Sequence, residues 1–233
     1  MKILGIDTSN LVMSLAVINN QQLLGEYTTN LKKNHSIRLM PAISLLLDEL
    51  DVEPSALDGI AIAQGPGSYT GVRIGVTTAK SMAWSLGIPL VGVSSLEALA
   101  GNGNYFSGYV CPLFDARRGQ VYTALFENGE RSENDQITMM ESWADQLAAL
   151  QKPVLFLGDD VSMHQSVISE KLGNQARFGP PDWNVPRASY IAREGSRKIQ
   201  QGELSDPNLF APRYLQLAEA EAKWLAAQQA KET

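Results

Sequence analysis

Three short segments of this 233-residue chain carry residue types able to act on a phosphate or a proton. Asp7-Thr8-Ser9 closes the apolar run Lys2–Ile6. A carboxylate there can hold a magnesium-bound nucleotide or act on water, and the hydroxyls can meet phosphate. The same three residues also make an ordinary Asx turn that caps a strand. Gln64-Gly65-Pro66-Gly67-Ser68-Tyr69-Thr70-Gly71 lies between an apolar run and a helical pattern. Backbone N–H groups and a helix N-terminus gathered at one point attract an anion, yet a tight strand-to-helix connection uses the same glycines. The segment is not a P-loop, because no Gly-x-x-x-x-Gly-Lys is present. It also misses the dinucleotide fingerprint, since Thr70 stands where the third glycine belongs and no acid follows about 20 residues on. Asp115 ends another apolar run, but Arg117 and Arg118 follow it. These arginines can contact phosphate or simply face solvent.

Other chemistries find no motif. His35 and His164 are the only histidines and lie far apart, and Cys111 has no second cysteine to share a metal or a disulfide. There is no His-Glu-x-x-His and no Gly-x-Ser-x-Gly. Lys32-Lys33 is too short for a nucleic-acid stripe.

The elements that must position these residues read as two similar series. Lys2–Ile6, Leu11–Ile18 and Leu23–Thr28 are strands joined by short turns, an antiparallel meander. From Asn34 the period becomes helical: Leu39, Met40, Ile43, Leu46, Leu47 and Leu50 fill one arc, with Asn34 or Ser36 as N-cap. Ile37, Ala42 and Leu45 fall outside that arc, so the apolar surface is wider than one sheet needs and suits a second partner. Gly59–Ala63 is a strand, a helix spans about 70–86, Pro89–Val93 is a strand, and Ser94-Ser95 caps a short helix through Ala100. In the helix over 70–86, the small residues Gly71, Gly75 and Thr78 lie on one side and Val72, Val76, Ala79 and Ala83 on another. Close approach of another backbone there serves either its own sheet or a partner helix.

Gly101–Gly108 reads as a linker, and the pattern then repeats. Tyr109–Phe114 ends at Asp115, a turn follows, and Gln120–Glu127 returns. No element is read over residues 128–136. They lead to a helix (Glu141–Leu150), a strand (Val154–Leu157), a helix (Ser162–Leu172), a short strand near Arg177-Phe178, a helix (Ala188–Gln201) and a closing helix over Leu217–Lys231. The second series reads as shortened.

Composition bounds the partners. Hydrophobic residues make 44% and charged ones 19%, enough for a full core. Nineteen basic against 25 acidic side chains leave a net charge of −6, which argues against gripping nucleic acid unaided. The charge-free run Thr8–Gly25 is too polar to span a bilayer. Asp7 interrupts the N-terminus before a secretory segment forms. One unpaired cysteine suits the reducing cytoplasm.

Taken together, Ile3-Leu4-Gly5-Ile6-Asp7-Thr8-Ser9, the segment from Gln64 through Val72-Arg73-Ile74-Gly75, and Phe114-Asp115-Ala116-Arg117-Arg118-Gly119-Gln120-Val121-Tyr122 resemble the TsaB (YeaZ) family, of Gram-positive type. Pro212-Arg213-Tyr214-Leu215 also looks like that family's end. The resemblance implies an α/β, duplicated actin/Hsp70-like (ribonuclease H-like) ATPase fold with two βββαβαβα-type halves, the second degenerate. The halves are expected over 1–105 and 106–233. It further implies a non-catalytic part in forming threonylcarbamoyladenosine beside the anticodon of tRNAs that read codons beginning with A. The family pairs with TsaD, which transfers the threonylcarbamoyl group from its adenylate, and TsaE joins them; tRNA is met through the complex. The implied pairing surface is the two helices over about 34–50 and 70–86, through Ile37, Met40, Leu46, Leu47, Val72, Gly75, Val76 and Ala79. A partnerless chain is expected to pair with itself by the same helices. Asp7, Thr8, Ser9, Gly65, Gly67, Ser68, Thr70, Gly71 and Arg73 form an expected nucleotide or interface loop. ATP or ADP would then sit at the boundary with TsaD, since Arg117-Arg118 replace the second phosphate loop. TsaD carries a His-x-x-x-His metal pair where this chain has Ser95 and Leu99, so no metal of its own is expected. An independent ATPase or small-molecule kinase using Asp7 as base is the alternative, and a peptidase ranks last.

Overall fold

A computed structural model of the chain describes residues 1–207 and 209–216; the closing helix expected over 217–231 lies outside them. The first half runs β1 (Lys2–Asp7), β2 (Val12–Asn19), β3 (Gln22–Asn30), α1 (His35–Glu49), β4 (Gly59–Ala63), α2 (Tyr69–Leu86), β5 (Leu90–Val93) and α3 (Ser95–Ala100). The second runs β6 (Tyr109–Asp115), β7 (Gln120–Glu127), β8 (Glu130–Met139), α4 (Met140–Ala149), β9 (Val154–Leu157), α5 (Val161–Leu172), β10 (Ala176–Phe178) and α6 (Ala188–Gln200). The sheets are ordered β3-β2-β1-β4-β5 and β8-β7-β6-β9-β10, the same arrangement twice. In each, the first strand pairs antiparallel with the second and parallel with the fourth.

The second copy is complete rather than shortened, because Glu130–Met139 forms β8 where the sequence alone suggests no element. Only Asp135 is buried along it, so it lacks the apolar alternation that marks a half-buried strand. It pairs with β7 through two register shifts.

Local signals explain the helix starts. The Asn34 side chain accepts from Ser36 N at 3.0 Å and caps α1. Ser68 and Ser94 cap α2 and α3, accepting from Gly71 N and Glu97 N, both at 3.3 Å. Gly87, at φ 66°, ends α2 in the left-handed conformation.

Alternation along β1 divides its side chains between two cores. Leu4 and Ile6 join Met13, Leu15, Ile60 and Ile62 under α1 and α2. Ile3 faces the other way, with Ala61, Val91, Ile191 and Ala192, so α6 covers that face. In the second sheet, Cys111, Leu113, Trp143 and Phe156 pack under α4 and α5, whereas Leu96 and Leu99 of α3 cover the opposite face. The two halves therefore exchange a helix: α3 serves the second sheet and α6 the first. The segment 101–108 is anchored, with Asn102 Nδ2 donating to the carbonyls of Trp183 and Val185 at 2.8 and 2.9 Å. Among the described residues no helix is long and apolar enough to cross a membrane.

Candidate functional site: an interdomain cleft with one sealed hairpin

Both sheets present the ends of their first strands to a cleft of about 850 Å³. The β1–β2 hairpin, the glycine turn, the β6–β7 hairpin, the start of α5 and residues Arg213–Gln216 line it. Asp7 and Asp115 occupy equivalent positions. Each carboxylate accepts the N–H of the residue two further on, from Ser9 at 2.7 Å and from Arg117 at 3.1 Å. The expected Asx turns are thus present in both halves.

The first hairpin is closed. Asp7, Thr8 and Ser9 are fully buried, and the second Asp7 oxygen and the Ser9 hydroxyl have no partner. The glycine turn causes this. Ser68 N donates to Ser9 O at 2.6 Å and Thr8 Oγ1 donates to Gly71 O at 2.8 Å. A Cβ on Gly67, Gly71 or Gly75 would lie 2.1, 2.2 or 2.4 Å from an oxygen of Ser9 or Thr8. These glycines let α2 seat directly on the hairpin. Desolvation pushes the Asp7 carboxyl up to about 6, against the lowering effect of the Ser9 N–H. His35, at the first turn of α1, donates from Nε2 to Asn10 O at 2.8 Å and ties that helix to the same hairpin.

A metal-bound triphosphate held between two such hairpins needs both carboxylates and the Thr8 and Ser9 hydroxyls open to it. Here the first set is sealed, so these residues do not fit that group. The second hairpin is open: Arg117 and Arg118 are exposed at φ 67° and 54°. Asp115 Oδ1 lies 3.1 Å from His164 Nε2, and Asp115 N donates to Asp160 at 2.9 Å. Burial raises the Asp160 carboxyl above its ordinary range. Asp159 and Asp160 line the cleft without having been singled out, Tyr214 lines it with them, and His164 stands behind Asp115. Asp159-Asp160 stand between β9 and α5 as the glycine turn stands between β4 and α2, so the repeat itself carried a signal for them. Ser95 and Leu99 are both fully buried; Ser95 Oγ accepts from Gly65 N at 3.2 Å and Leu99 packs in the core. Neither side chain is free to ligate a metal.

The two helices divide the expected pairing residues. Ile37 is 73% exposed, and Met40 and Leu45 of the same helix and Trp84 of α2 are exposed too. Leu46, Leu47, Val72, Val76 and Ala79 instead belong to the core under the first sheet, and Gly75 faces Thr8. This corrects their placement at a partner surface: the widest apolar arc of each helix goes to the sheet, and only what falls outside it is left over. Of the expected loop, Ser68, Thr70 and Arg73 alone are exposed, at the start of α2, with Tyr69 exposed between them.

A duplicated βββαβαβα unit, with an aspartate ending each first strand at a shared cleft, defines a protein of the actin/Hsp70-like ATPase fold. A hexokinase of the ROK family from Thermus thermophilus shares that fold at a TM-score of 0.51 and 12% identity, covering 87% of this chain and 100% of its own. Residues 22–224 match the domain family described as TsaD, tRNA N6-adenosine threonylcarbamoyltransferase. The tRNA threonylcarbamoyladenosine biosynthesis protein TsaB of Bacillus subtilis is 49% identical over 98% of this chain and 100% of its own length. YeaZ from Pseudomonas aeruginosa superposes with a TM-score of 0.78 at 26% identity, over 92% of this chain and 99% of that one. The chain belongs to this domain family and, within it, to the TsaB (YeaZ) family.

Proposed function

We propose that the chain is the non-catalytic subunit that supports formation of N6-threonylcarbamoyladenosine on tRNAs reading codons that begin with A. In this reading it pairs with TsaD and acts with TsaE while TsaD moves the threonylcarbamoyl group from its adenylate to the adenosine next to the anticodon. The observation that carries it is the 49% identity to a threonylcarbamoyladenosine biosynthesis protein along essentially the whole chain.

The geometry supports the division of labour. Asp7 is too deeply buried to reach a substrate, and in this reading Ser95 and Leu99 stand where the catalytic relative is expected to carry its metal pair. Ile37, Met40, Leu45 and Trp84 offer apolar area for a partner, and in its absence for a second copy of this chain. Net charge of −6 leaves the tRNA to the partner or to the joint surface. This reading assigns ATP or ADP to the boundary with TsaD, on groups that both chains supply.

Reconstitution tests this. TsaD, TsaE, tRNA and threonylcarbamoyl adenylate are combined with and without the chain, and the modified nucleoside is measured by mass spectrometry. Product that depends on the chain, together with no magnesium-dependent ATP hydrolysis by the chain alone, supports the reading. Hydrolysis by the isolated chain that Asp7→Ala abolishes would instead establish the kinase or ATPase alternative.

A further inference from the structure

After α6 the chain does not end at its own sheet. It runs back as an irregular strap, residues 203–207 and 209–216, along the first half to the cleft, which residues 213–216 help to line. Ser205 bridges to β5, donating to Leu90 O at 3.1 Å. Phe210 packs against the first core, and its carbonyl accepts from Lys80 of α2 at 2.7 Å. Arg213 N then donates to Gln64 O at 2.7 Å, and the Arg213 carbonyl presses so closely on Gly65 that a Cβ there would lie 2.6 Å from it. Tyr214 stacks on Tyr69, the first residue of α2, with ring centroids 4.8 Å apart and planes at 25°. Arg73, one turn on, lies over the Tyr69 ring at 5.2 Å and donates to its hydroxyl at 2.7 Å.

The far end of the strap reaches the other half. Arg213 Nη1 lies 3.3 Å from Asp135 of β8, whose carboxylate is buried and also takes Arg131. Arg131 in turn pairs with Glu97 of α3 at 3.0 Å. A single dipeptide, Arg213-Tyr214, thus joins the glycine turn, the start of α2 and the second sheet. Thr70, Arg73, Thr77, Ser81 and Trp84 form the outward stripe of α2, and Tyr69 with Tyr214 lies at its N-terminal end.

We propose that Arg213 and Tyr214 are positioning residues for the pairing with TsaD: the strap fixes the first turn of α2, and with it the partner face, relative to the second half. This rests on the pairing reading above, and it deepens that reading by making pairing depend on residues outside both helices. Tyr214 is half exposed and Arg213 exposed, so truncating either leaves both cores intact.

Hydrogen exchange on the full chain, read over residues 64–75, is combined with titration against TsaD for wild type, Tyr214→Ala, Tyr214→Phe and Arg213→Ala. An aromatic stack of this kind predicts roughly tenfold faster exchange in that segment for Tyr214→Ala and pairing weakened by about the same factor. Arg213→Ala follows in the same direction, Tyr214→Phe restores both readouts, and melting temperatures stay close to wild type. Exchange and affinity that remain at wild-type values in Tyr214→Ala and Arg213→Ala overturn the inference, as does faster exchange without weaker pairing. If wild-type chain and TsaD do not pair at all, the functional reading is what fails, and the exchange arm alone decides whether the strap sets the start of α2.

Discussion

Asp7 shows how far residue type and residue role can separate. Its position, at the end of the first strand and before two hydroxyls, is legible in the sequence, and the turn it makes is the one its neighbours predict. Its access is not legible, because the closure comes from Gly67, Gly71 and Gly75, more than fifty residues away, and from the absence of any Cβ on them. Asp7 titrates at about 6 in the fold against 3.8 for the free side chain. The folded chain therefore holds the proton more tightly than the unfolded chain. The associated stability is present below about pH 4 and is lost as the pH rises through 6, a cost of at most ~3 kcal/mol above that point. Asp7→Asn keeps the Ser9 N–H acceptor and removes the buried charge. It is expected to melt several degrees higher than wild type at pH 7.5 and at the same temperature at pH 4, by calorimetry. A variant that is less stable at pH 7.5 contradicts this view of the hairpin.

Helices and strands with an apolar face were readable, the edge strands β3, β5 and β10 among them, and the charged edge strand β8 was not. β9 and the bounds of α2 follow from periodicity and caps. β8 escapes because charged and polar residues, Glu130, Ser132 and Asn134 against Arg131, Glu133 and Asp135, occupy both of its faces, so it lacks the alternation by which strands are recognised. On α1 and α2 the apolar positions are legible, but which of them meets the sheet is decided only when both helices are laid side by side. Met40→Arg and Ile37→Arg are therefore expected to leave the melting temperature nearly unchanged, within ~0.5 kcal/mol, and to abolish pairing. Val76→Arg and Leu46→Arg are expected to unfold the chain, because each places a charge inside the first core. Circular dichroism melts separate the two groups. Gly75→Ala forces a methyl against the Thr8 hydroxyl and is expected to cost ~1–3 kcal/mol with no effect specific to pairing.

At the scale of the whole molecule the duplication is legible and the exchange between copies is not. Two aspartate-ended strands followed by hairpins announce the repeat, whereas nothing local tells that α3 leaves its own half to cover the second sheet, or that α6 returns to the first. A cut near residue 105, natural from the sequence, strips α6 from Ile3, Ala61 and Val91. The fragment 1–105 is expected to show no cooperative melt, while the full chain unfolds in a single transition by both calorimetry and near-ultraviolet dichroism. A fragment that folds alone with native-like dichroism contradicts the shared-core account.

The claim at the centre is that this chain acts by pairing through the outward faces of α1 and α2, not by turnover at Asp7. Size-exclusion chromatography with light scattering tests it most directly: wild-type chain, Met40→Arg and Asp7→Asn are each mixed with TsaD. Wild type and Asp7→Asn are predicted to give a new one-to-one peak, and Met40→Arg to elute apart from TsaD. Independent elution of the wild-type proteins, or equal pairing by Met40→Arg, contradicts the account.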